Sequence, residues 1–382
     1  MTPPDLPAAV RDLLALHLTP GLGPVRIAAL LEHFGSAGAV LRGTMSGFQD
    51  VTGIGSYLSS KLAQDLPGVD VQTEIDRASR AGARILALGT PDYPPGLVHI
   101  PAAPPILYAL GELTAGDERG VAMVGTRNPN AYGKRVAKQL AEGLARAGVT
   151  VVSGLARGID GIAHRAALDA GGRTVAVLGS GLSRMYPPEH AALAEAVAKA
   201  GAVVSECFME EGPSKGSFPA RNRIISGLSR VIVIVQAPRD SGALITATHA
   251  AEQGRTVLVV PGPIDDDAQS GCLHLLRQGA VLCRSVDDIL EELDGVSAQA
   301  VAQTQRSLFD EAAPTPAAPA GPPPGLDAVQ MRVWDFLAEG ARSVDEVARH
   351  VSLAMPALSG VLMMMEMNRA VRRLPGNRYE RA

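Results

Sequence analysis

At 382 residues the chain is too long for one ordinary core, so two or three domains are expected, and 46% hydrophobic against 19% charged residues describes a soluble, folded protein. No apolar run reaches the length of a membrane span, and Met1-Thr2-Pro3-Pro4-Asp5 lacks the parts of a secretion signal, so the expected address is the cytoplasm, with no membrane partner. The net charge of −4 excludes a uniformly basic protein, yet residues 125–175 carry eight Lys/Arg against three Asp/Glu, residues 215–230 four against none, and residues 369–382 five against one. Cationic charge gathered in short stretches of an otherwise acidic chain is how a polyanion site looks.

Residues 1–80 read as short helices, a small domain of the helix-hairpin-helix or SAM-like kind. Two similar turns recur there, Thr19-Pro20-Gly21-Leu22-Gly23-Pro24 and Val51-Thr52-Gly53-Ile54-Gly55-Ser56, with their Gly-x-Gly steps 32 residues apart. Such glycines let a backbone approach a phosphate at a helix amino end. The other reading is that two hairpins simply pack on each other, since only Arg26 and Lys61 flank the turns.

Over residues 84–295 the period changes. Apolar runs at Ile85–Leu88, Val121–Val124, Thr150–Val152, Thr174–Leu178, Ala202–Val204, Val231–Val235 and Thr256–Val260 alternate with helical stretches at Arg135–Ala147, Ile159–Ala170, His190–Ala200, Pro219–Leu228 and Leu244–Gln253. Nearly continuous apolar strands alternating with helices predict a doubly wound, mostly parallel α/β sheet of the Rossmann-like class, covered on both faces.

Residues 296–325 run through Ala, Gln and Pro and are expected to be a disordered linker. In residues 326–382 a helix over Asp327–Leu337 precedes a capping box, Ser343-x-x-Glu346, that opens a second helix. A third over Met355–Met367 follows, then two short strands around Pro375-Gly376-Asn377, the order of a winged helix. Met363, Met364, Met365 and Met367 are expected to fill its core. Cys207, Cys272 and Cys283 form no CxxC pair, and Cys272 with His274 supplies only two ligands, so buried thiols and no metal or disulfide are expected.

Doubly wound sheets bind ligands where strands end and helices begin. The loops there read Gly125-Thr126-Arg127, Ser153-Gly154-Leu155-Ala156-Arg157-Gly158, Gly179-Ser180-Gly181 and Ser241-Gly242-Ala243-Leu244-Ile245-Thr246, with Lys215, Phe218 and Arg221-Asn222-Arg223 nearby. Small residues allow backbone N–H groups to meet an anion, and arginines add charge. Neither GxGxxG nor GxxxxGK[ST] is present, so no nucleotide cofactor is expected. Asp160 and His164, at i and i+4, lack a nucleophile beside them and read as a first-turn carboxylate and a packed histidine. With only 3% aromatic residues, stacking platforms are scarce, although Phe218 could stack one base; the grip must be on phosphates.

The stretches VGTRNPNAYG (124–133), VVSGLARGIDGIAHRAAL (151–168), TVAVLGSGLSRMYPPEH (174–190), FPARNRIISGLS (218–229), SGALITATHAAEQGRTVLVVPG (241–262) and GCLHLLRQGA (271–280) resemble the DNA-processing protein A family, DprA or Smf. The resemblance implies a non-enzymatic single-stranded DNA-binding protein of natural transformation and recombination, which protects incoming strands and helps load the RecA recombinase. It implies a DNA pocket made by Gly125, Thr126, Arg127, Ser153, Gly154, Lys215, Phe218, Arg221 and Arg223, and a homodimer with Leu273, Leu276 and Leu282 as contacts. To these the loop reading adds Arg157, Gly158, Asn222, Ser241, Gly242 and Thr246. Where family members often continue the tyrosine-proline segment with a basic residue, this chain has Tyr186-Pro187-Pro188-Glu189.

Two other classes compete. The architecture also resembles the lysine-decarboxylase-like phosphoribohydrolases, but their PGGxGTxxE loop here reads Ser241–Thr248 with no Glu before Glu252. A sequence-specific regulator would bind duplex DNA through the winged helix alone. Two further contacts are expected: Arg369, Arg372, Arg373 and Arg378, beside Arg381, on phosphates of a second, duplex segment, and Gln305-Arg306-Ser307-Leu308-Phe309, which resembles a peptide docking on the replication sliding clamp.

Overall fold

A computed structural model describes residues 6–295 and, in the tail, 326–340, 342–351, 353, 355–368, 370–374 and 378–381. It forms two compact units, Met1–Gln303 and Thr304–Ala382.

The first unit opens with six helices: α1 (Ala8–Leu18), α2 (Pro24–Phe34), α3 (Ala37–Leu41), α4 (Met45–Gln49), α5 (Ser56–Asp65) and α6 (Val71–Arg80). Gly21 and Gly53 take φ of 89° and 85°, the left-handed turn both repeats require. Arg26 folds back to donate to the Gly21 carbonyl at 2.7 Å, so it closes its own turn. Leu14, Ile27, Leu62 and Ile75 share one core with Tyr108, Leu178 and Val203 of the sheet. The buried Glu74 accepts the Met209 N–H at 2.7 Å and ties α6 to the same core.

The sheet strands and their helices follow: β1 (Arg84–Ala87), β2 (Ile106–Gly111), β3 (Val121–Val124), α7 (Ala131–Arg146), β4 (Val151–Ser153), α8 (Ile159–Asp169), β5 (Thr174–Leu178), α9 (Ala191–Ala200) and β6 (Ala202–Ser205). The chain continues through α10 (Ser217–Gly227), β7 (Val231–Ile234), α11 (Gly242–Glu252), β8 (Thr256–Val259), α12 (Ser270–Arg277), β9 (Val281–Leu282) and a helix α13 over residues 286–295. The strand order is β1-β2-β6-β5-β4-β3-β7-β8-β9. From β3 the chain steps outward to β6, then returns to the other side of β3 with β7, so the loops after β3 and β7 part there. That reversal is the switch point at which an open α/β sheet offers a crevice.

Every neighbouring pair along β6-β5-β4-β3-β7-β8-β9 is parallel, whereas the pairs β1–β2 and β2–β6 are antiparallel. The sequence reading lacks β2 and β9. The segment between β1 and β2 contains no α-helix to cover a crossover, only the short turn Pro95–Leu97, and the chain doubles back so that the two strands pair antiparallel. Helix α7 begins four residues before the expected Arg135 because Asn130 caps it, its Oδ1 accepting the Gly133 N–H at 2.9 Å.

The second unit contains α14 (Ala328–Phe336), β10 (Arg342–Ser343), α15 (Val344–Val351), α16 (Met355–Met367), β11 (Val371–Leu374) and β12 (Arg378–Arg381), with the sheet order β10-β12-β11 of a winged helix. Ser343 and Glu346 make both bonds of the expected capping box. Of the four methionines expected in the core, two face outward, and the Met367 side chain lies outside the described residues. Leu358, Leu362 and Met365 share the inner face of α16, while Met363 and Met364 stand 64% and 52% exposed. Arg381 lies over the Trp334 ring at 4.5 Å and donates to the Trp334 carbonyl at 2.8 Å. Arg372 pairs with Glu380. Arg378 is exposed, whereas Arg369, the Arg373 side chain and residues 305–309 lie outside the described residues. Among the described residues no helix is long and apolar enough to cross a membrane.

Candidate nucleic-acid interface

At the switch point the loops enclose a groove of about 640 Å³. Gly125, Thr126 and Arg127 enter it from the loop after β3, Ala156 from the β4–α8 turn, Asp160 from the first turn of α8, and Tyr186 from the loop after β5. Ser214, Lys215, Phe218, Arg221 and Asn222 form the wall at α10; Ser241, Gly242, Ile245 and Thr246 form the wall at α11. Helices α10 and α11 both point their amino ends at the groove, each adding partial positive charge.

Arg127 is exposed and lies over the Phe218 ring at 5.3 Å. Phe218 meets Tyr186 at 5.7 Å between centroids, and Arg157 lies over Tyr186 at 5.6 Å. The result is a row of cation, ring, ring and cation. Its two ends differ, because Arg157 donates to the Glu189 carboxylate at 2.5 Å. That hydrogen bond holds the Glu189 carboxyl below its usual range. Thus Arg157 is already answered by a charge, at the position where a basic residue was expected.

Arg221 is buried under the groove rather than reaching into it from the surface. Its guanidinium donates to the carbonyls of Gly154, at 2.7 Å, and Val177. Beside it, Asp160 accepts the N–H groups of Gly154 and Ala156 at 3.1 and 3.4 Å. Burial pulls Arg221 down to about 10 and pushes Asp160 up, each opposed by the charge of the other. Arg221 therefore stays cationic at neutral pH, as a fixed charge below the floor.

Several expected contacts have other work. A Cβ on Gly154 would sit 2.5 Å from the Arg221 guanidinium, so this glycine makes room for an arginine. Ser153 is fully buried, its hydroxyl donating to Met123 at 2.6 Å. Thr126 N–H donates to the Gln236 carbonyl at 2.7 Å, joining the loops after β3 and β7. Gly158, at φ 77°, presses its α-carbon where a Cβ would lie 2.3 Å from the Thr126 carbonyl. Arg223 points away from the groove: its guanidinium grips both carboxylate oxygens of Glu206 at 2.7 and 2.8 Å, and Ala102 and Ala220 accept from it at 2.8 Å. It sits on the inner side of α10, where the sheet's antiparallel corner supplies a carboxylate.

Asp160 and His164 do not form a catalytic pair. His164 bonds Thr174 Oγ1 at 2.7 Å through Nδ1, and burial pushes it down to about 3. Among residues lining the groove Asp160 is the sole carboxylate, and its Oδ2 accepts from both the Gly154 and the Ala156 N–H. Glu252 lines a different cavity, of about 710 Å³, together with Arg255 and Ser229 near the start of β7. Cys272 and Cys283 are buried, and burial pushes both thiols up to about 12. Leu273 and Leu276 are half-buried, and Leu282 is exposed on the edge strand β9. The sequence reading missed Tyr186 and Ile245 as groove residues. Tyr186 was findable, since it lies in a carboxyl-edge loop; an apolar residue on a helix, such as Ile245, carries no signal.

The model of DNA recombination-mediator protein A matches residues 84–294, and the DprA winged helix domain matches residues 315–377. Protein Smf of Synechocystis is 33% identical over 388 residues, covering 96% of this chain and 98% of its own length. DNA processing protein DprA of Bacillus subtilis is 44% identical over 213 residues, 56% of this chain and 72% of that protein. Among solved structures, DNA processing protein A of Streptococcus pneumoniae aligns over 75% of this chain and 99% of its own, with a TM-score of 0.67 and 32% identity. The Helicobacter pylori protein, solved for its single-stranded DNA binding mode, covers 57% of this chain and 96% of its own at a TM-score of 0.50 and 29% identity. On the match across residues 84–294 and the near full-length relative, the chain belongs to the DNA recombination-mediator protein A family.

Proposed function

We propose that this protein holds single-stranded DNA by its phosphates in the switch-point groove, performs no covalent chemistry on it, and serves transformation and recombination by protecting incoming strands and helping to load RecA. The observation that carries the reading is the groove's charge. Arg127, Lys215 and the buried Arg221 face one space with two helix amino ends, and the single carboxylate there is engaged by Arg221 and by backbone N–H groups. Such a site favours a polyanion. The Helicobacter pylori relative's single-stranded DNA binding supports the same ligand. Phe218 and Tyr186 add one place where a base can stack without being read.

The groove contacts proposed are Gly125, Thr126, Arg127, Lys215, Phe218, Asn222, Ser241, Gly242 and Thr246, with Arg221 as a charge below them. Arg157 and Gly158 border the groove, and Arg223 is left out. A homodimer through the α/β unit is proposed on the apolar edge that includes Leu282 and the neighbouring Leu273 and Leu276. In the winged helix, α16 carries no basic residue, so a duplex contact would rest on Arg378 and its neighbours on the sheet rather than on that helix.

Arg127→Ala tests the reading. Affinities for oligothymidylate and oligodeoxyadenylate should fall alike, about 5- to 10-fold near 0.1 M salt, with the log–log salt slope smaller by about 0.7. A loss confined to one sequence would mean base readout, and no loss at all would remove the groove as the DNA site.

A further inference from the structure

A second groove of about 730 Å³ meets the first at Arg127 and runs along the outer face of α8. Its walls hold Lys134 and Lys138 of α7, one turn apart on one helix face, and Arg165 of α8. All three are exposed. The floor is Gly161, Ile162 and Ala166 of α8 with Leu193 of α9, largely apolar, and His190 lines it beside them. Gly158 marks the end next to Arg127 and Asp169 the far end. Over the eleven residues of α8 this is a length of about 16 Å. Among the ionic contacts of these cations, Lys138 reaches Glu142 at 3.7 Å, a long surface pair worth little and readily exchanged. No ion pair is formed by Lys134 or Arg165 among the described residues.

We propose that this α7–α8 groove is a second phosphate track, which carries the nucleotides running on past Arg127 while the first groove holds the segment before it. Resting on the reading of the main groove, it makes Arg127 the junction through which both grooves share one strand. Three cations on the α7 and α8 walls, spaced along a largely apolar floor, suit an extended anionic backbone. They do not suit a compact anion, which would need convergent donors. Asp169 ends the track, since it repels the next phosphate at the carboxyl end of α8, where the helix dipole is also negative.

The test uses the full chain with Lys134, Lys138 and Arg165 all changed to Ala. Each is an exposed helix position, where substitution leaves the fold intact, and an unchanged circular dichroism spectrum and unfolding midpoint would document that. Affinities are measured by fluorescence anisotropy for oligothymidylates from about 4 to about 20 nucleotides, across a salt series. Short oligomers should bind parent and variant equally. Beyond a threshold length the variant should bind roughly 10- to 100-fold more weakly near 0.1 M salt, with a slope smaller by about 2, one increment of 0.7 for each lost phosphate contact. Equal affinity and slope at every length would overturn the proposal and leave a solvated helix face. An equal loss at every length would overturn it too, because it would show a general field rather than a track. Arg127→Ala, run beside it, keeps the two readings apart: if that variant alone binds normally at all lengths, the main groove is wrong.

Discussion

Arg127 and Arg157 end the same row of rings, yet only Arg157 has a carboxylate within ion-pair distance. The pair with Glu189 is half exposed on both sides, so it stabilises the fold little and acts mainly as a local brake on anion binding. Glu189→Gln should release Arg157 to a passing phosphate. Single-strand affinity is expected to rise about 3- to 10-fold near 0.1 M salt, with the salt slope larger by about 0.7. Unchanged anisotropy titrations would show that the strand does not pass Arg157. Arg221 illustrates the opposite case. Its charge is useful to the groove, but its hydrogen bonds all go to the protein, so its removal would confuse lost binding with lost structure.

At the scale of elements, the carboxyl-edge loops hold one another before they hold a ligand. The loop after β3 is tied to that after β7 through Thr126 and Gln236, and to α8 through the Ile159 N–H on the Thr126 carbonyl at 3.2 Å. Gly158 lies at that crossing with a positive φ and no room for a Cβ. Gly158→Ala should therefore lower stability by at least about 2 kcal/mol. Gly242→Ala, where a Cβ would meet nothing within 4 Å, should leave stability nearly unaltered. Urea unfolding of the two variants measures the contrast, and equal midpoints would refute the packing argument. The winged helix shows a related division. Leu358, Leu362 and Met365 serve its core, and the opposite face of α16 offers methionines instead of cations.

For the whole first unit, pH is the informative variable, because two histidines are buried neutral. His17 of α1 bonds the Glu206 carbonyl at 3.0 Å, and burial pushes it down to about 4; His164 is pushed down to about 3. Both folded values lie below the unfolded value of about 6.5, so on acidification the unfolded chain takes up protons that the folded one refuses. Stability from these groups is complete above about pH 6.5 and is lost progressively as pH falls toward 4, by up to about 1.4 kcal/mol per pH unit for each histidine. Urea midpoints measured from pH 7.5 to 4.5 should decline; a flat or rising profile would contradict neutral burial. The effect joins the front helices to the sheet, since His17 reaches across to a residue that follows β6.

How much of this was legible differs from place to place. Runs such as Val121–Val124 and Thr174–Leu178 appear as strands with the expected bounds, because a buried parallel strand must be apolar on both faces. The loops Gly125-Thr126-Arg127 and Ser241–Thr246 were visible as carboxyl-edge loops, and the structure brings both into one groove. Periodicity is blind to direction, however, so β2 and the antiparallel corner escaped it. It is equally blind to which way a guanidinium points. Arg221 and Arg223 sit two residues apart on α10, and their partners, the Gly154 and Val177 carbonyls for one and the Glu206 carboxylate for the other, decide that one underlies the groove while the other leaves it.

By itself the sequence determined the alternation of strand and helix, the winged-helix tail, and which small or cationic residues stand at strand ends. Those follow from local apolar patterning and turn chemistry, which the chain carries along its length. The tertiary structure decided the strand order, the shared core of front helices and sheet, and the assignment of each charge to a partner or to the open groove. These depend on residues far apart in the chain meeting, and no local pattern encodes such a meeting.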